Sequence, residues 1–450
     1  MAVAKVSAPL VSHTGVPLTR AVAFRFALDP TRAQEQLLLA HAGASRLAFN
    51  HHLARVKANL AQRAAERSYR LEDDALTPSL SWSRVSFINE MNAWKNGYLP
   101  TSPTAADGTQ GLQWRGEVSA DVFETASVDA AQALANWSDS RKGARKDKAV
   151  AFPRFKSRHT TAPAFRIRSK CTPGQSAPVR VAGPKALRLG KLGVLRIHGC
   201  TRRVRRMLEQ GRLHLFAASI RREHERWWVS LQGVAAVCHT ARRSSKGRHT
   251  VQAGMDRGVK SLAVVANAEG VVLRTVEGVN ALKHAQVALR RANKAYSRTK
   301  IGSVGRRKAA ARLGRIHARV ANLRRNTAHQ LSYWAATTLT TLTVEDLNVA
   351  GMTQLRTLAR SISDAGMGDL GRMLSYKAGW YGLEIHQADR WFPSSKTCSA
   401  CGSINTDLTL ADRVYRCPCG LVLGRDVNAA INLARWPELS TASPPRPAAA

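Results

Sequence analysis

Acidic residues are scarce in this chain of 450 residues. Asp and Glu number 30 against 69 Lys and Arg, so the formal net charge is +39 and the isoelectric point is near 11.2. Such a chain repels itself unless a polyanion neutralises it, and nucleic acids are the abundant polyanions of a cell. A basic surface kept only for solubility is the weaker explanation, because acidic residues serve solubility better. The composition therefore predicts nucleic-acid binding.

Long apolar runs are missing as well. No stretch approaches the roughly 18 consecutive apolar residues of a membrane-spanning helix. Residues 1–20 also lack the continuous apolar segment of a secretory signal. We therefore expect no membrane partner.

Cysteine is rare, with seven in the chain. Three are scattered and four are clustered: Cys171, Cys200 and Cys238, and then Cys398, Cys401, Cys417 and Cys419. In a cytoplasmic chain such a cluster suggests a metal rather than disulfides. The first clustered pair has the CxxC spacing of a zinc knuckle, with Gly402 following it. The second pair is CxC, one residue closer than usual, which leaves open a segment without metal or one closed by disulfides.

Changes of hydrophobic periodicity divide the N-terminal half. Residues 20–27 alternate like a strand, and Asp29 before Pro30 predicts that a long helix starts there. Helical periodicity holds across most of 79–142. In contrast, 179–235 consists of short alternating runs, which are typical of a small β-barrel or sandwich.

The pattern changes again at residue 251. Residues 251–278 indicate three strands joined by turns, and 341–390 indicates strands alternating with a helix, so we expect an α/β sheet. Between them, 283–325 is helical with an interruption at 301–305, and it carries fourteen Lys and Arg but no acid. A charged run is usually a solvated helix face. Here no carboxylate offsets the repulsion, so a phosphate backbone is the better partner.

Three carboxylates occupy unusual positions for such a basic chain. Asp256 is predicted in the middle of an apolar strand, where an unpaired carboxylate is costly, and Arg257 points to the opposite face. Glu345 ends a second apolar strand, and Asp346 beside it points the other way. Asp426 opens the final helix. Taken one at a time, the three residues have ordinary explanations as a turn charge, a strand-end charge and a helix N-cap. Taken together, they supply the hard oxygen ligands that suit Mg²⁺.

Ordered motifs give the chain a family resemblance. The segments GMDRGVKSLAV, TVEDLNVAGM, LSYKAGWYGLEI, SSKTCSACG and GRDVNAAINLA follow one another in this order. They resemble the RuvC-like nuclease half of the TnpB proteins of insertion sequences, and equally the compact type V CRISPR effectors derived from them. The N-terminal segments RFALDPTRAQEQLLL, GASRLAFNHHL and FPRFKSR are similar to the opening of that family. The resemblance covers roughly 20–436, and the combination is specific where single motifs are weak.

The resemblance implies a fold of several parts, α/β with small β and helical domains. The expected order is an oligonucleotide-binding-type β-domain (the wedge) with an inserted helical recognition domain, then an RNase H-like (RuvC) nuclease domain with an inserted zinc ribbon. The expected boundaries are a disordered N-terminus at 1–19, the wedge at 20–30 and 147–250, the recognition domain at 31–146, the nuclease domain at 251–391 and 425–436, the zinc-ribbon target-nucleic-acid-binding insertion at 392–424, and a disordered tail at 437–450.

The resemblance also implies roles for particular residues. Asp256, Glu345 and Asp426 become the catalytic carboxylates that bind two Mg²⁺ ions, with Mn²⁺ as a substitute. The four clustered cysteines become ligands of a structural Zn²⁺, in a ribbon whose exit delivers Asp426 to the site. Besides the CxC pair, the chain departs from the family at Gly424, where another acidic residue is more common, and at Arg257 beside the catalytic position. Neither departure removes a ligand.

The implied function is RNA-guided DNA endonuclease activity, the metal-dependent hydrolysis of phosphodiesters next to a short motif that the protein reads. The partners would be a guide RNA, double-stranded target DNA and its displaced single strand, held by the basic segments 141–170, 202–207 and 283–325. We expect a monomer in the prokaryotic cytoplasm, associated with the nucleoid. Two alternatives stay open: an RNA-guided repressor that cuts little or not at all, and a guide-independent DNA-binding accessory of transposition.

Overall fold

The computed structural model describes residues 19–145, 149–170, 176–236, 251–355, 357–409 and 412–442. The expected N-terminal disorder at 1–18, the cysteines Cys171 and Cys238, and the tail from 443 onward lie outside these ranges. The chain divides into two compact units, Met1–Ala236 and Val237–Ala450.

The first unit contains one seven-stranded antiparallel sheet, in the order β2-β6-β7-β1-β5-β4-β3. Its strands are β1 (Thr19–Asp29), β2 (Ala164–Arg168), β3 (Val179–Gly183), β4 (Ala186–Leu189), β5 (Val194–His198), β6 (Leu213–Glu223) and β7 (Arg226–Ala236). The opening strand therefore lies in the middle of a sheet whose other strands come more than 100 residues later. The described strands belong to one hydrogen-bonded sheet, and its edge strand β3 also contacts β6, so the sheet curves back on itself.

Four helices complete the first unit: α1 (Arg32–Ser68), α2 (Arg84–Asn96), α3 (Ala120–Arg141) and α4 (Arg202–Glu209). Helix α1 begins later than Asp29, which the sequence favoured, because Asp29 still pairs with Arg196 in the sheet. The cap is Thr31, whose hydroxyl accepts from the backbone N–H of Gln34 while the Gln34 side chain accepts from the backbone N–H of Thr31. This reciprocal capping box satisfies two N–H groups that the first turn leaves open.

The helices and the sheet of the first unit share one apolar core. Leu38 and Leu53 of α1 and Phe123 of α3 are fully buried in it, together with Ile167 of β2 and Trp227 of β7. The alternation of buried and partly exposed residues along β7 gives the sheet a single core-facing side.

The second unit is built on a five-stranded mixed sheet in the order β10-β9-β8-β11-β12. Its strands are β8 (Gln252–Asp256), β9 (Ser261–Ala266), β10 (Val272–Glu277), β11 (Thr341–Glu345) and β12 (Glu384–Ala388). The first three are antiparallel neighbours, while β8, β11 and β12 run parallel. The predicted strand-turn-strand-turn-strand order and the alternating α/β part are both present. A small hairpin, β13 (Val414–Arg416) and β14 (Val422–Gly424), precedes the last helix.

The helices of the second unit are α5 (Ala281–Ser297), α6 (Val304–Thr338), α7 (Val349–Met352), α8 (Ala359–Ala365), α9 (Met367–Tyr381) and α10 (Arg425–Ala442). The break between α5 and α6 falls at the predicted interruption. Buried Asp364 ties three helices together, since its carboxylate accepts from the backbone N–H groups of Leu282 and Lys283 at the start of α5 and from the Arg324 guanidinium of α6. None of the helices in the described ranges is long and apolar enough to cross a bilayer.

Helix α10 runs to Ala442, past the boundary expected at 436. Pro437 lies inside it, where it removes one backbone N–H donor and crowds the carbonyl four residues earlier. The structure therefore assigns a helix to 437–442, where the sequence predicted a disordered tail.

Candidate functional site

Asp256 and Glu345 end neighbouring parallel strands. Met255 of β8 is paired with Val344 of β11, so the next residue along each strand, Asp256 and Glu345, leaves the sheet at the same edge and on the same face. Asp256 is the last residue of β8 rather than a mid-strand residue as the sequence suggested, because the chain turns at 257–260 before β9. Two carboxylates from distant parts of the sequence thus meet at one sheet edge.

The third carboxylate arrives on helix α10, which packs against β8 at very close range. A Cβ added to Gly254 would lie 2.1 Å from the backbone oxygen of Ala430 and 2.3 Å from the backbone nitrogen of Ala434. The contact requires glycine on the strand and small side chains on the helix. It holds the first turn of α10, with Asp426, beside the end of β8.

The three carboxylates act on one another electrostatically. Burial and, after it, the negative charges of Glu345 and Asp426 raise the pKa of Asp256 to about 8, while Arg425 and Arg257 oppose the shift. A carboxyl group that holds its proton near neutral pH marks a place where negative charge is concentrated and a cation is favoured.

Arg257 and Asp346, which flank two of these carboxylates, follow the last residues of β8 and β11, and both side chains are bound to other groups. The Arg257 guanidinium donates to the backbone carbonyl of Glu345. Asp346 accepts from Gln387 at 2.9 Å and from Arg390. Glu345 is therefore the carboxylate of its pair that is available at the shared edge.

A hydrogen-bond network that the sequence did not reveal joins this edge to the cysteine-containing segment. The buried Ser394 hydroxyl donates to Glu345 Oε1 at 2.7 Å. Asn432 of α10 donates from Nδ2 to the backbone oxygens of Ser394 and Thr397, each at 2.7 Å. Asn428, also buried, donates to Thr397 and accepts from the backbone N–H of Ser399. The helix that carries Asp426 is thus bonded directly to the chain that enters the cysteine cluster.

The four cysteines predicted as ligands come together. Their sulfur atoms all lie within 4.8 Å of one another, with Cys398 and Cys419 3.7 Å apart and Cys401 and Cys417 3.5 Å apart. A tetrahedral zinc with bonds of about 2.3 Å separates its sulfur ligands by roughly 3.8 Å, close to these two distances between the CxxC and CxC pairs. All four are free thiols, and these separations far exceed an S–S bond.

Ser403 favours the ionised form of this cluster. Its hydroxyl lies 3.1 Å from Cys401 Sγ and 3.2 Å from Cys417 Sγ. Hydrogen bonds from Ser403, with smaller ones from Cys417 and Cys398, lower the pKa of Cys401 to about 6. Cys419 shifts the other way: its hydrogen bond with the Leu421 backbone is outweighed by the neighbouring thiols and by burial, which raise its pKa to about 12. Since metals bind the thiolate, the donor chemistry suits zinc.

The predicted basic segments differ in how their Lys and Arg side chains are placed. In 141–170, Arg166 pairs with Asp129 at 2.6 Å, and Arg168 and Lys170 pair with carboxylates of α3, so part of this charge is neutralised internally. In 283–325, every Lys and Arg is exposed except two. These are Arg324, bound to Asp364, and Arg306, which lies over the Tyr296 ring. The α5–α6 hairpin is therefore the larger exposed basic surface of the two.

Three family models match different parts of the chain. Residues 20–64 match one described as "Helix-turn-helix domain", residues 236–356 one described as "Probable transposase", and residues 368–433 one described as "Cas12f1-like, TNB domain". The last covers both the cysteine cluster and Asp426.

Relatives of known description cover most of the chain. A protein found in two strains of Mycobacterium tuberculosis, described as "Putative RNA-guided DNA endonuclease", is 34% identical over 423 residues, which are 92% of this chain and 86% of that protein. A Streptomyces pristinaespiralis protein of the same description is 32% identical over 359 residues, 78% of this chain and 77% of that protein. A chain of the "Cas12f1-sgRNA-target DNA complex" aligns over 92% of this chain and 99% of its own, with 10% identity and a TM-score of 0.32. At the identity and coverage of the curated relatives, this chain belongs to the TnpB family that its motifs resemble.

Proposed function

We propose that this protein is an RNA-guided DNA endonuclease whose cutting centre consists of Asp256, Glu345 and Asp426. The observation that carries the proposal is geometric: Asp256 and Glu345 end neighbouring parallel strands at one sheet edge, and the helix that carries Asp426 packs against the first of these strands. Buried carboxylates close to one another repel and destabilise the fold, and a bound divalent cation offsets this repulsion. The descriptions of the relatives support the same activity.

The donor set suits Mg²⁺, with Mn²⁺ as a substitute. Three carboxylates provide hard oxygen ligands, and Ser394 engages only one oxygen of Glu345, leaving the other to bind a cation. Two such ions, when bound, activate a water molecule and stabilise the leaving oxygen of a phosphodiester. The protein's own part is to fix the carboxylates. Gly254 sets the depth of α10, and Ser394 orients Glu345.

We propose the TnpB-like domain roles for the two units. The seven-stranded sheet with its strand at 20–30 and its later part to 250 would be the wedge, and the helices within 31–146 the recognition domain. The five-stranded sheet with α10 would be the RuvC-like nuclease domain. The exposed cations of the α5–α6 hairpin would contact the backbone of the guide RNA and its target DNA, a contact that needs no base readout by the protein.

The cysteine segment at 392–424 would hold a structural Zn²⁺ through Cys398, Cys401, Cys417 and Cys419. Its bonds to Asn428 and Asn432 give this ribbon a second role, because they tie it to the helix that carries Asp426.

The test is to express the protein with its native flanking DNA, sequence the RNA that copurifies, and change the guide portion. We expect bound RNA, and Mg²⁺-dependent cutting that follows the new guide sequence. A repeat-spacer RNA would identify a CRISPR effector, and an RNA from the element's end a transposon nuclease. Guide-directed binding without cutting would instead identify a repressor. A protein that purifies without RNA and binds DNA regardless of sequence would support the accessory role.

A further inference from the structure

A cluster of two histidines and a glutamate lies among the helices of the first unit, remote in sequence from the carboxylates and the cysteines. His51 and His52 are consecutive on α1, and Glu90 is on α2. His51 Nε2 lies 3.0 Å from Glu90 Oε1, and His52 Nδ1 lies 3.9 Å from Glu90 Oε2. The side chains are 12%, 0% and 17% exposed.

The tautomer of His52 follows from its neighbours. The Ser127 hydroxyl donates its hydrogen to the backbone carbonyl of Phe123 at 2.9 Å. The Ser127 oxygen lies 2.8 Å from His52 Nε2, and we assign the hydrogen of that contact to Nε2, because the single Ser127 hydrogen is used on the Phe123 carbonyl. The lone pair is therefore on Nδ1.

This lone pair has no hydrogen-bond partner among the described residues, and its nitrogen is buried. It is turned toward a carboxylate, which is itself only an acceptor. Two acceptors that face each other in a buried place need a cation or a donor between them. His41, buried on the same helix, shows the ordinary arrangement: its Nδ1 bonds the Leu37 carbonyl at 2.7 Å and its Nε2 accepts from the backbone N–H of Ser119.

We propose that His51 Nε2, His52 Nδ1 and the Glu90 carboxylate bind a divalent transition-metal ion of the zinc class. Two imidazoles and one carboxylate are an established zinc donor set that leaves a fourth position for water. Tetrahedral zinc at about 2.0–2.1 Å from each ligand separates them by roughly 3.3 Å. The two imidazole nitrogens lie 3.0 and 3.9 Å from the Glu90 carboxylate, the first measured to Oε1 and the second to Oε2. All three ligand atoms lie within 4.8 Å of one another.

The surroundings support a metal in two ways. The hydrogen bond from His52 Nε2 to Ser127 is the kind of outer contact that orients a metal-binding imidazole. Arg55 also contacts Glu90 and supplies positive charge to the cluster while no metal is bound. Its side chain is 38% exposed, so it can turn into solvent when the ion binds. The ion would join α1 to α2, with α3 linked through Ser127.

The test counts zinc per chain in the full-length protein by elemental analysis, in buffer with excess Mg²⁺ so that the carboxylate site takes up no zinc. We expect two zinc ions in the wild type, one after Glu90→Gln or His51→Gln, one after Cys401→Ser, and none when the changes are combined. His159→Gln, at an exposed histidine of the same unit, is the matched control and should leave two.

A direct titration separates binding from folding. With Cys401→Ser as the background, Zn²⁺ should raise the melting temperature, and Glu90→Gln should weaken zinc binding at least tenfold. Glu90→Gln preserves the side-chain shape and an acceptor for His51 and Arg55, so it should still fold. The proposal would be overturned if Cys401→Ser lowers the zinc content per chain while Glu90→Gln and His51→Gln both leave it at the wild-type value. Equal losses with His159→Gln would also overturn it.

Discussion

Replacing Gly254 by alanine should push the helix that carries Asp426 away from the strand that carries Asp256. The added Cβ would lie 2.1 Å from the Ala430 oxygen and 2.3 Å from the Ala434 nitrogen, and both are backbone atoms that no rotamer change can move. Ordinary contact begins near 3.5 Å, so the helix must retreat by about 1.4 Å.

The magnitude follows from this displacement. Overpacking of this kind costs roughly 1–3 kcal/mol of unfolding free energy. A shift of about 1 Å at a reacting centre lowers the rate on the order of 100-fold. We therefore expect Gly254→Ala to remain folded in urea denaturation, to bind guide RNA normally, and to cut matched DNA about 100 times more slowly in single-turnover assays.

Gly379 provides the matched control. It is exposed on α9, and no atom lies within 4 Å of a Cβ built there. Gly379→Ala should raise the unfolding free energy by about 0.5–1 kcal/mol through helix propensity alone and leave cutting unchanged. If Gly254→Ala cuts at the wild-type rate, the close approach of α10 to β8 does not set the position of Asp426.

Three further predictions concern the connections around the site. Asn432→Ala removes two buried 2.7 Å hydrogen bonds and should lower the unfolding free energy by about 2 kcal/mol or more in urea denaturation; wild-type stability would refute the network. Ser394→Ala should slow cutting about 10-fold to 100-fold with unchanged RNA binding, and equal cutting rates would show that Glu345 needs no orientation. The third uses the raised pKa of Asp256. From about pH 4 to about pH 8 the folded protein keeps a proton that the unfolded chain releases, so without Mg²⁺ the unfolding free energy should fall as pH rises through this window. Asp256→Asn should remove this contribution to the pH dependence of the unfolding free energy, so near pH 9 it should be more stable than the wild type. Urea denaturation between pH 5 and 9 measures both proteins. If their unfolding free energies change with pH in the same way, the pKa of Asp256 is not raised.

Local pattern was enough to predict much of the second unit. Strand alternation gave β8, β9 and β10, and the glycine-containing interruption at 301–305 gave the break between α5 and α6. Strand parity separated Glu345 from Asp346, which the structure indeed engages elsewhere. These features depend on residues close to one another in sequence, which is why a single chain reveals them.

The remaining features depend on contacts between distant segments. Nothing near Gly254 shows that Ala430 and Ala434 approach it, and the bonds from Asn432 to Ser394 and Thr397 cross a whole inserted hairpin. Helix propensity could not place those side chains, because Asn is an ordinary helix residue until its partner is known.

Charge counting failed for a similar reason. The basic segment 141–170 was expected to contact nucleic acid as a whole. Part of its charge is instead paired with Asp121, Glu124 and Asp129, which α3 presents from an earlier part of the chain. A count of residues within a window cannot register a carboxylate that folding brings in from outside it.

The central claim is that Asp426 is a metal-binding carboxylate of the cutting centre, and Asp426→Asn tests it most directly. Asparagine keeps the size of the side chain at the first turn of α10, so losing the charge there should cost only about 0.3–1 kcal/mol of stability. The measurement is cleavage of guide-matched DNA by the RNA-loaded protein in Mg²⁺, with binding of the same DNA recorded in parallel. We predict that Asp426→Asn binds RNA and target like the wild type and leaves the DNA uncut. Cutting at the wild-type rate would contradict the account.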